Sequence, residues 1–440
     1  MKFGGKFIIV LFSAGLAFIG FLGLITNTGL FGSQAQQPIN DAGAQMRIFG
    51  SVLQYIQNDY VDKPDLSKVR AGALRGLADS LDPYSSYLSA EQVTEFQNNS
   101  KDTSKVGIGA EFSQVSSYLY IISVIKGSPA EKAGLMAGDI IEYVESKATR
   151  DISLYDAKRL IRGDAGTKVK LRVLRTGEKP QTLEVTRGTY EVPKASSEVK
   201  TGNIGVVKVY SLEKSEADDI RNQVSNLKSK GVKKMVLDLR NVSTGTLDEA
   251  VQVANLFIKE GDLATVVGRE NKIIKTYSAQ SDMHLYDGEL AVLIDLGTAG
   301  PGEIVASAVL ENKRGEVIGE QTFGSGSNQE LFPLRGGDAF LLTTSKWASS
   351  KGMPFLSDKR VNSGVKPTVE VKRPETPEPI EVEELVEQKE EQNEENPQST
   401  PEEETKNKVQ KPKKSQEDLQ MKKAIELLQG KGKAKAASEE

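Results

Sequence analysis

Apolar residues recur along this chain in three rhythms, and each predicts a different kind of structure. Residues 7–25 form an uncharged apolar run behind Lys2 and Lys6. As a helix that run is about 28 Å long, close to the hydrocarbon thickness of a bilayer. A cleaved export signal has a shorter apolar region, of about 7–15 residues, which favours an anchor over a signal cut at Ser33-Gln34-Ala35. Either way the positive flank stays inside and the remainder is exported. Across 41–103 the rhythm is helical: Met46, Ile48, Phe49, Val52, Leu53 and Ile56 make one stripe, and a second helix covers 66–77. Beyond Gly202 short apolar runs alternate with helical stripes. Strands are expected at 204–210, 235–239, 290–296 and 317–318, and helices at 213–230, 247–258 and 303–310. Strand-like pieces at 341–344 and 365–371 follow. This alternation is that of a layered α/β core.

Past Val371 the chain changes character. Residues 372–414 are rich in Pro, Glu and Gln, with a basic patch at 406–414, and hold too few apolar residues to pack; a disordered linker is expected. Residues 415–430 regain an apolar helical face, with Gly430 as a stop, and predict a short helix. Such a helix is marginal unless something covers its face.

Composition narrows the chemistry. A net charge of -4 over 440 residues offers no basic footprint for nucleic acid. With no cysteine, disulfides, thiol catalysis and cysteine metal sites are excluded, and the single histidine, His284, cannot build a zinc site alone. No cofactor or metal is expected.

Glycines mark the next feature. Gly107-Ile108-Gly109-Ala110-Glu111-Phe112 places small residues where consecutive backbone N–H groups can turn toward one anion, ahead of a strand edge open to an extended peptide. Gly127-Ser128-Pro129-Ala130, Ala133-Gly134-Leu135, Gly138-Asp139-Ile140-Ile141 and Arg162-Gly163 follow, and Val169, Leu171 and Val173 alternate with basic residues. Residues 104–190 thereby resemble a PDZ domain.

Further motifs extend the likeness. Leu81-Asp82-Pro83-Tyr84-Ser85-Ser86-Tyr87-Leu88, Gly297-Thr298-Ala299-Gly300-Pro301-Gly302-Glu303-Ile304 and Gly319-Glu320-Gln321-Thr322-Phe323-Gly324-Ser325-Gly326-Ser327-Asn328-Gln329 resemble signatures of the carboxyl-terminal processing peptidases, the S41 serine peptidase family. In that family the middle serine of the second motif is the nucleophile and a lysine in the third is its general base. Laid over this chain without a gap, the serine falls on Gly300 and the lysine on Ser325. Gly300 has no side chain to ionise, and a serine hydroxyl at 325 is a poor proton acceptor without a base of its own. Tyr84 stands where the first motif has histidine, and Thr368 where the closing segment has aspartate. In the loop Asp238-Leu239-Arg240-Asn241-Val242-Ser243-Thr244-Gly245, Ser243 replaces a proline and Thr244 a glycine, a β-branched residue for the most permissive one. Gln329 keeps the family's accessory glutamine.

The resemblance implies a helical N-terminal region, an inserted PDZ domain at 104–190 and an α/β (α+β) peptidase core at 191–371. It implies a periplasmic or otherwise extracytoplasmic protein held at the inner membrane, whose partners are the C-terminal tails of exported proteins, with an active relative or a second copy as further candidates. With the dyad substituted, a pseudopeptidase that binds tails through residues 107–112 is expected. The alternative is an endopeptidase with displaced catalytic groups, for which Thr298, Ser325, Ser327, Lys313 and Lys346 are the residues to inspect.

Overall fold

In the computed structural model the described residues are 41–99, 105–357, 362–373 and 417–430. The apolar run at 7–25 and, of the linker expected at 372–414, residues 374–414 lie outside them. Among the described residues no helix is long and apolar enough to cross a membrane. The chain divides into one unit ending at Gly72 and a second beginning at Ala73.

The first unit holds α1 (Ala42–Asp59) and the start of α2 (Leu66–Asp79). The apolar stripe of α1 is present, but none of its residues is buried. The second unit departs from a purely helical reading of 41–103. Ser86–Leu88 form β1, paired antiparallel with a strand at Ala339–Ala348. Four consecutive residues, Ser85 to Leu88, are buried there, which a helix at a surface cannot arrange and a strand between neighbours can. Helix α3 (Ala90–Asn99) follows, and Asp338 holds this corner by accepting from the Tyr87 hydroxyl at 2.8 Å and the Ala90 N–H at 3.2 Å.

The next segment comprises β2 (Val106–Gly107), β3 (Ala110–Val115), β4 (Tyr118–Val124), α4 (Pro129–Lys132), β5 (Ile140–Val144), β6 (Lys147–Ala148), α5 (Leu154–Ile161), β7 (Lys168–Leu174), β8 (Gln181–Thr186) and β9 (Gly188–Thr189). Its sheet runs β3-β4-β5-β7-β8, so β3 is an edge strand, and α5 packs beside it. Val169, Leu171 and Val173 point inward to a core shared with Phe112, Leu119 and Ile121. Ser128 and Ser153 cap the two helices by accepting from the N–H groups of Glu131 and Asp156.

The remainder is built from β10 (Ser196–Lys200), β11 (Ile204–Lys208), α6 (Glu216–Ser229), β12 (Lys234–Asp238), α7 (Leu247–Phe257), β13 (Asp262–Val267), β14 (Ile273–Ser278), β15 (Glu289–Ile294), α8 (Pro301–Glu311), β16 (Glu316–Gly319), β17 (Ser327–Pro333), β18 (Ala339–Ala348), β19 (Val369–Glu370) and α9 (Leu419–Leu428). A six-stranded sheet, β10-β11-β12-β15-β16-β19, is parallel except at β10. Both of its faces are covered, which is why its strands read as continuous apolar runs. Val207, Leu237, Val292 and Val317 turn toward α6, α7 and α8, while Val206, Val236, Leu293 and Ile318 turn toward α9. The body of the protein thus supplies the cover that α9 needs: Ala424 and Leu428 are buried, Lys234 donates to the Leu428 carbonyl at 2.6 Å, and Gln420 donates to the Val371 carbonyl at 2.9 Å.

A second sheet, β1-β18-β13-β14 with β17 on the other side of β18, lies beyond α8. The strand expected over 365–371 shrinks to β19. Val365 is taken by Thr322, whose hydroxyl accepts its N–H at 2.7 Å, and Pro367 offers no N–H to a ladder. Residue 373, expected to lie in the linker, is placed against the core: Arg373 is fixed by Asp295 and Glu320, each at 3.1 Å.

Candidate functional site

Strand β15 feeds the loop 295–299 and then α8, so residue 300 stands on a strand-to-helix turn. Gly300 is the N-cap, at φ 48° and ψ −105°. That backbone region penalises any residue carrying a Cβ. A strained turn of this kind is how a nucleophilic serine is presented at the head of a helix. Here glycine adopts the conformation without the strain. An ideal Cβ on Gly300 would lie 3.5 Å from the Ser325 Oγ and 3.6 Å from the Trp347 ring. The fold therefore sets the two substituted positions face to face, with neither a hydroxyl at 300 nor an amine at 325.

The group that holds them together is Glu303, which sequence reasoning passed over as part of a motif. It is fully buried in the first turn of α8. Its carboxylate accepts from the N–H groups of Gly300 (2.7 Å), Gly324 (2.7 Å) and Ser325 (2.8 Å), and from the Thr322 hydroxyl. Burial pushes its pKa up to about 7 against these four donors, which pull it down. The signal available in the sequence was a glutamate in the first turn of an otherwise apolar helix.

The other candidate hydroxyls and amines are placed elsewhere or otherwise engaged. Thr298 is fully buried; its hydroxyl donates to the Leu239 carbonyl at 2.9 Å and accepts the Asp295 N–H at 3.0 Å. Ser327 accepts from Gln329 Nε2 at 2.7 Å. Gln329 also donates to the Thr343 hydroxyl (3.2 Å), which donates to Asp82 (3.0 Å). The accessory glutamine thus belongs to a polar chain that ties the Leu-Asp-Pro-Tyr segment to β18. Lys313 lies past the far end of α8, about 15 Å or more from Gly300 at 1.5 Å rise per residue. Lys346 precedes Trp347 on β18; since Trp347 faces Gly300, alternation turns Lys346 to the opposite side.

The loop after β12 packs tightly on this turn. Gly302 is required by close approach, because a Cβ there would meet the Val242 carbonyl oxygen at 2.7 Å. Arg240 is drawn away from the site, paired with Asp238 at 2.8 Å and with Asp418, just ahead of α9, at 2.9 Å. These carboxylates raise its already high pKa further, against the burial that opposes them. Asn241, at φ 63°, donates through Nδ2 to the Val124 carbonyl at 2.6 Å and accepts the Val124 N–H at 3.3 Å. Its amide completes β4 as a neighbouring strand would. Ser123 and Ser243 share a hydrogen bond beside it. Tyr120, Ile122, Ile140 and Leu174 pack on Leu296, Ala299 and Phe323, the residues flanking the two motifs. A cavity of about 320 Å³ remains between the end of β4 and this loop, lined by Lys126, Lys208, Tyr210, Asn241 and Thr244 among others. Neither Gly300 nor Ser325 lines it.

Of the residues expected to bind a peptide, Gly107 closes β2, and Ile108 is buried with its carbonyl accepting the Ala130 N–H at 2.7 Å. Gly109 (φ 76°) lies against Ser128 and Tyr190. Ala110, Glu111 and Phe112 open β3; Phe112 points into the core and Glu111 remains partly exposed. Tyr84, in the histidine's place, accepts from the Ser113 hydroxyl at 3.1 Å, and burial pushes its phenol up to about 12.

Over 370 residues the chain is 33% identical to the carboxy-terminal processing protease CtpA of Bacillus subtilis, covering 84% of this chain and 77% of that protein. The chain belongs to the carboxy-terminal processing proteases of peptidase family S41. The profile of peptidase family S41 matches residues 203–371 and that of the PDZ domain residues 120–175. A carboxy-terminal-processing protease of Bartonella bacilliformis is 30% identical over 75% of this chain and 76% of its own length. Among solved structures the photosystem II D1 C-terminal processing protease matches with a TM-score of 0.63 at 26% identity, over 74% of this chain and 86% of that one. Gly300 and Ser325 both fall inside the segment that the S41 family profile matches.

Proposed function

We propose that this S41 family member binds the C-terminal tails of exported proteins through its PDZ domain without hydrolysing them, and acts as a scaffold or regulator of proteolysis outside the cytoplasm. The observation that carries this reading is the meeting of Gly300 and Ser325. Acyl transfer by this family's chemistry needs an attacking oxygen and a base within hydrogen-bond reach; of the two positions that face each other, Gly300 has no side chain and Ser325 offers a hydroxyl with no base to activate it. Loss of a nucleophile alone costs on the order of 10⁶ in turnover in an unrelated serine peptidase, and here the base is substituted as well. The buried, doubly engaged hydroxyl of Thr298 supports the same reading. Tail binding is supported by an edge strand, β3, that follows the glycine loop and lies beside α5. The run at 7–25 would tether the protein to the inner membrane, where an active relative or a second copy could share its clients. The test is to expose the purified protein to a fluorophosphonate probe and to an unstructured protein substrate. No labelling and no cleavage are expected; stoichiometric labelling would overturn the reading.

A further inference from the structure

The groove beside β3 contains a charge that a purely apolar tail would not need. Leu154, Lys158 and Ile161 recur at helical spacing on α5 and share one side of it. Leu154 and Ile161 are buried in the same cluster as Ile108 and Phe112 of the glycine loop and β3. Lys158 therefore lies on the stripe turned toward the edge strand. Its ammonium reaches across to Glu111 on β3, at 3.4 Å.

We propose that Lys158 makes this groove selective for protein tails that carry a carboxylate side chain within the four residues before the last. The proposal rests on the reading of the PDZ domain as a tail binder, and it names the class of tail. A peptide added to the free edge of β3 lies between that strand and α5, about 4.8 Å from β3. It must part Lys158 from Glu111. Both side chains are about a third exposed, and a pair so accessible to water holds only weakly. An acidic side chain on the tail then takes the ammonium and leaves Glu111 free to turn to water. A basic side chain would take Glu111 and leave Lys158 on the apolar stripe facing a like charge. Arg162, four residues on, adds a second cation to this flank; Tyr190, which packs on Gly109, feels both Arg162 and Glu111. Glu213 also faces Tyr190 at that end of the groove, so the preference for an anion rests on Lys158 and its separation from Glu111.

The purified full-length protein would be titrated with fluorescein-labelled decapeptides ending in Ala-Ala-Ala-Ala-Leu, each alanine replaced in turn by Glu, Gln or Lys. At one position or more the Glu peptide is expected to bind roughly three- to five-fold tighter than the Gln peptide, with Lys weakest and the spread shrinking as salt rises. Lys158→Glu should invert that order, and Lys158→Gln should abolish it should the reversal fail to fold. Equal binding of Glu and Gln peptides at every position, or an order unchanged by either variant, would overturn the selectivity while leaving tail binding intact. If a folded protein binds none of the peptides, tail binding itself fails and the selectivity with it.

Discussion

Gly300→Ala isolates the strain that the turn would impose on a nucleophile. At a position whose backbone an alanine can adopt, Gly→Ala stabilises a protein by about 0.4–1 kcal/mol, because the unfolded chain loses freedom. Gly300 is not such a position. At φ 48° and ψ −105° a Cβ is held in a sparsely populated region, at a cost of about 1–3 kcal/mol. Collision adds nothing, because the nearest atoms to that Cβ are the Ser325 Oγ at 3.5 Å and the Trp347 ring at 3.6 Å, both at ordinary contact distance. The net expectation is a loss of about 1–2 kcal/mol. With a urea slope of about 2 kcal/mol/M, that lowers the midpoint by about 0.5–1 M. Trp347 is the single tryptophan of the chain and touches the mutated position, so its fluorescence follows unfolding where the strain sits. Gly300→Ser should lose a similar amount, since the hydroxyl changes chemistry more than backbone. A midpoint unchanged or raised in Gly300→Ala would refute the strain argument and, with it, the view of this turn as a relaxed nucleophile position.

Other outcomes follow from neighbouring contacts. Burial lifts Glu303 from an ordinary 4.5 to about 7, so the folded state holds a proton that the unfolded state releases; its contribution should be full below pH 4.5 and fall as pH rises toward 7. Denaturation midpoints across that range should show a downward slope that Glu303→Gln removes, and an unchanged slope would sink the assignment. Asn241→Ala deletes both bonds to Val124 and should cost about 1–3 kcal/mol; limited proteolysis should then cut sooner at 190–196, between the PDZ segment and the core. Leu428→Ala should cost about 2–4 kcal/mol by opening a cavity under α9, measured as earlier proteolytic loss of that helix. Resistance equal to wild type would show that α9 is not held by its apolar face. The double variant Gly300→Ser with Ser325→Lys should gain weak fluorophosphonate labelling, because residue 300 faces 325; complete inertness would indicate that Thr244 blocks the loop.

The layered α/β core was legible in the sequence because its strands are buried on both faces and so read as unbroken apolar runs between amphipathic helices. β11, β12 and β15 have almost no exposed position to blur the pattern. The glycine loop and the substitutions at 300 and 325 were legible because they are matters of residue identity at fixed spacing. β14 was not, since it is an edge strand exposed along nearly its whole length and has no inward rhythm to detect. Nor was β1, three residues long, whose strand conformation comes from its pairing with β18 across most of the chain.

The amino-acid sequence by itself determined which chemical groups are present: no hydroxyl at 300, no amine at 325, a lysine on the fifth position of α5. It also determined the elements whose apolar periodicity is strong enough to choose helix or strand locally. Tertiary structure alone decided which groups meet. Ser325 faces Gly300 because three donors to Glu303, the Thr322 hydroxyl and the N–H groups of Gly324 and Ser325, draw the loop from Thr322 to Ser325 onto the head of α8. Asn241 substitutes for a strand beside Val124, Lys158 reaches Glu111, and α9 finds its cover on a sheet face far away in the chain. Such contacts join residues distant along the backbone, and their existence depends on the packing of the whole molecule rather than on any local preference.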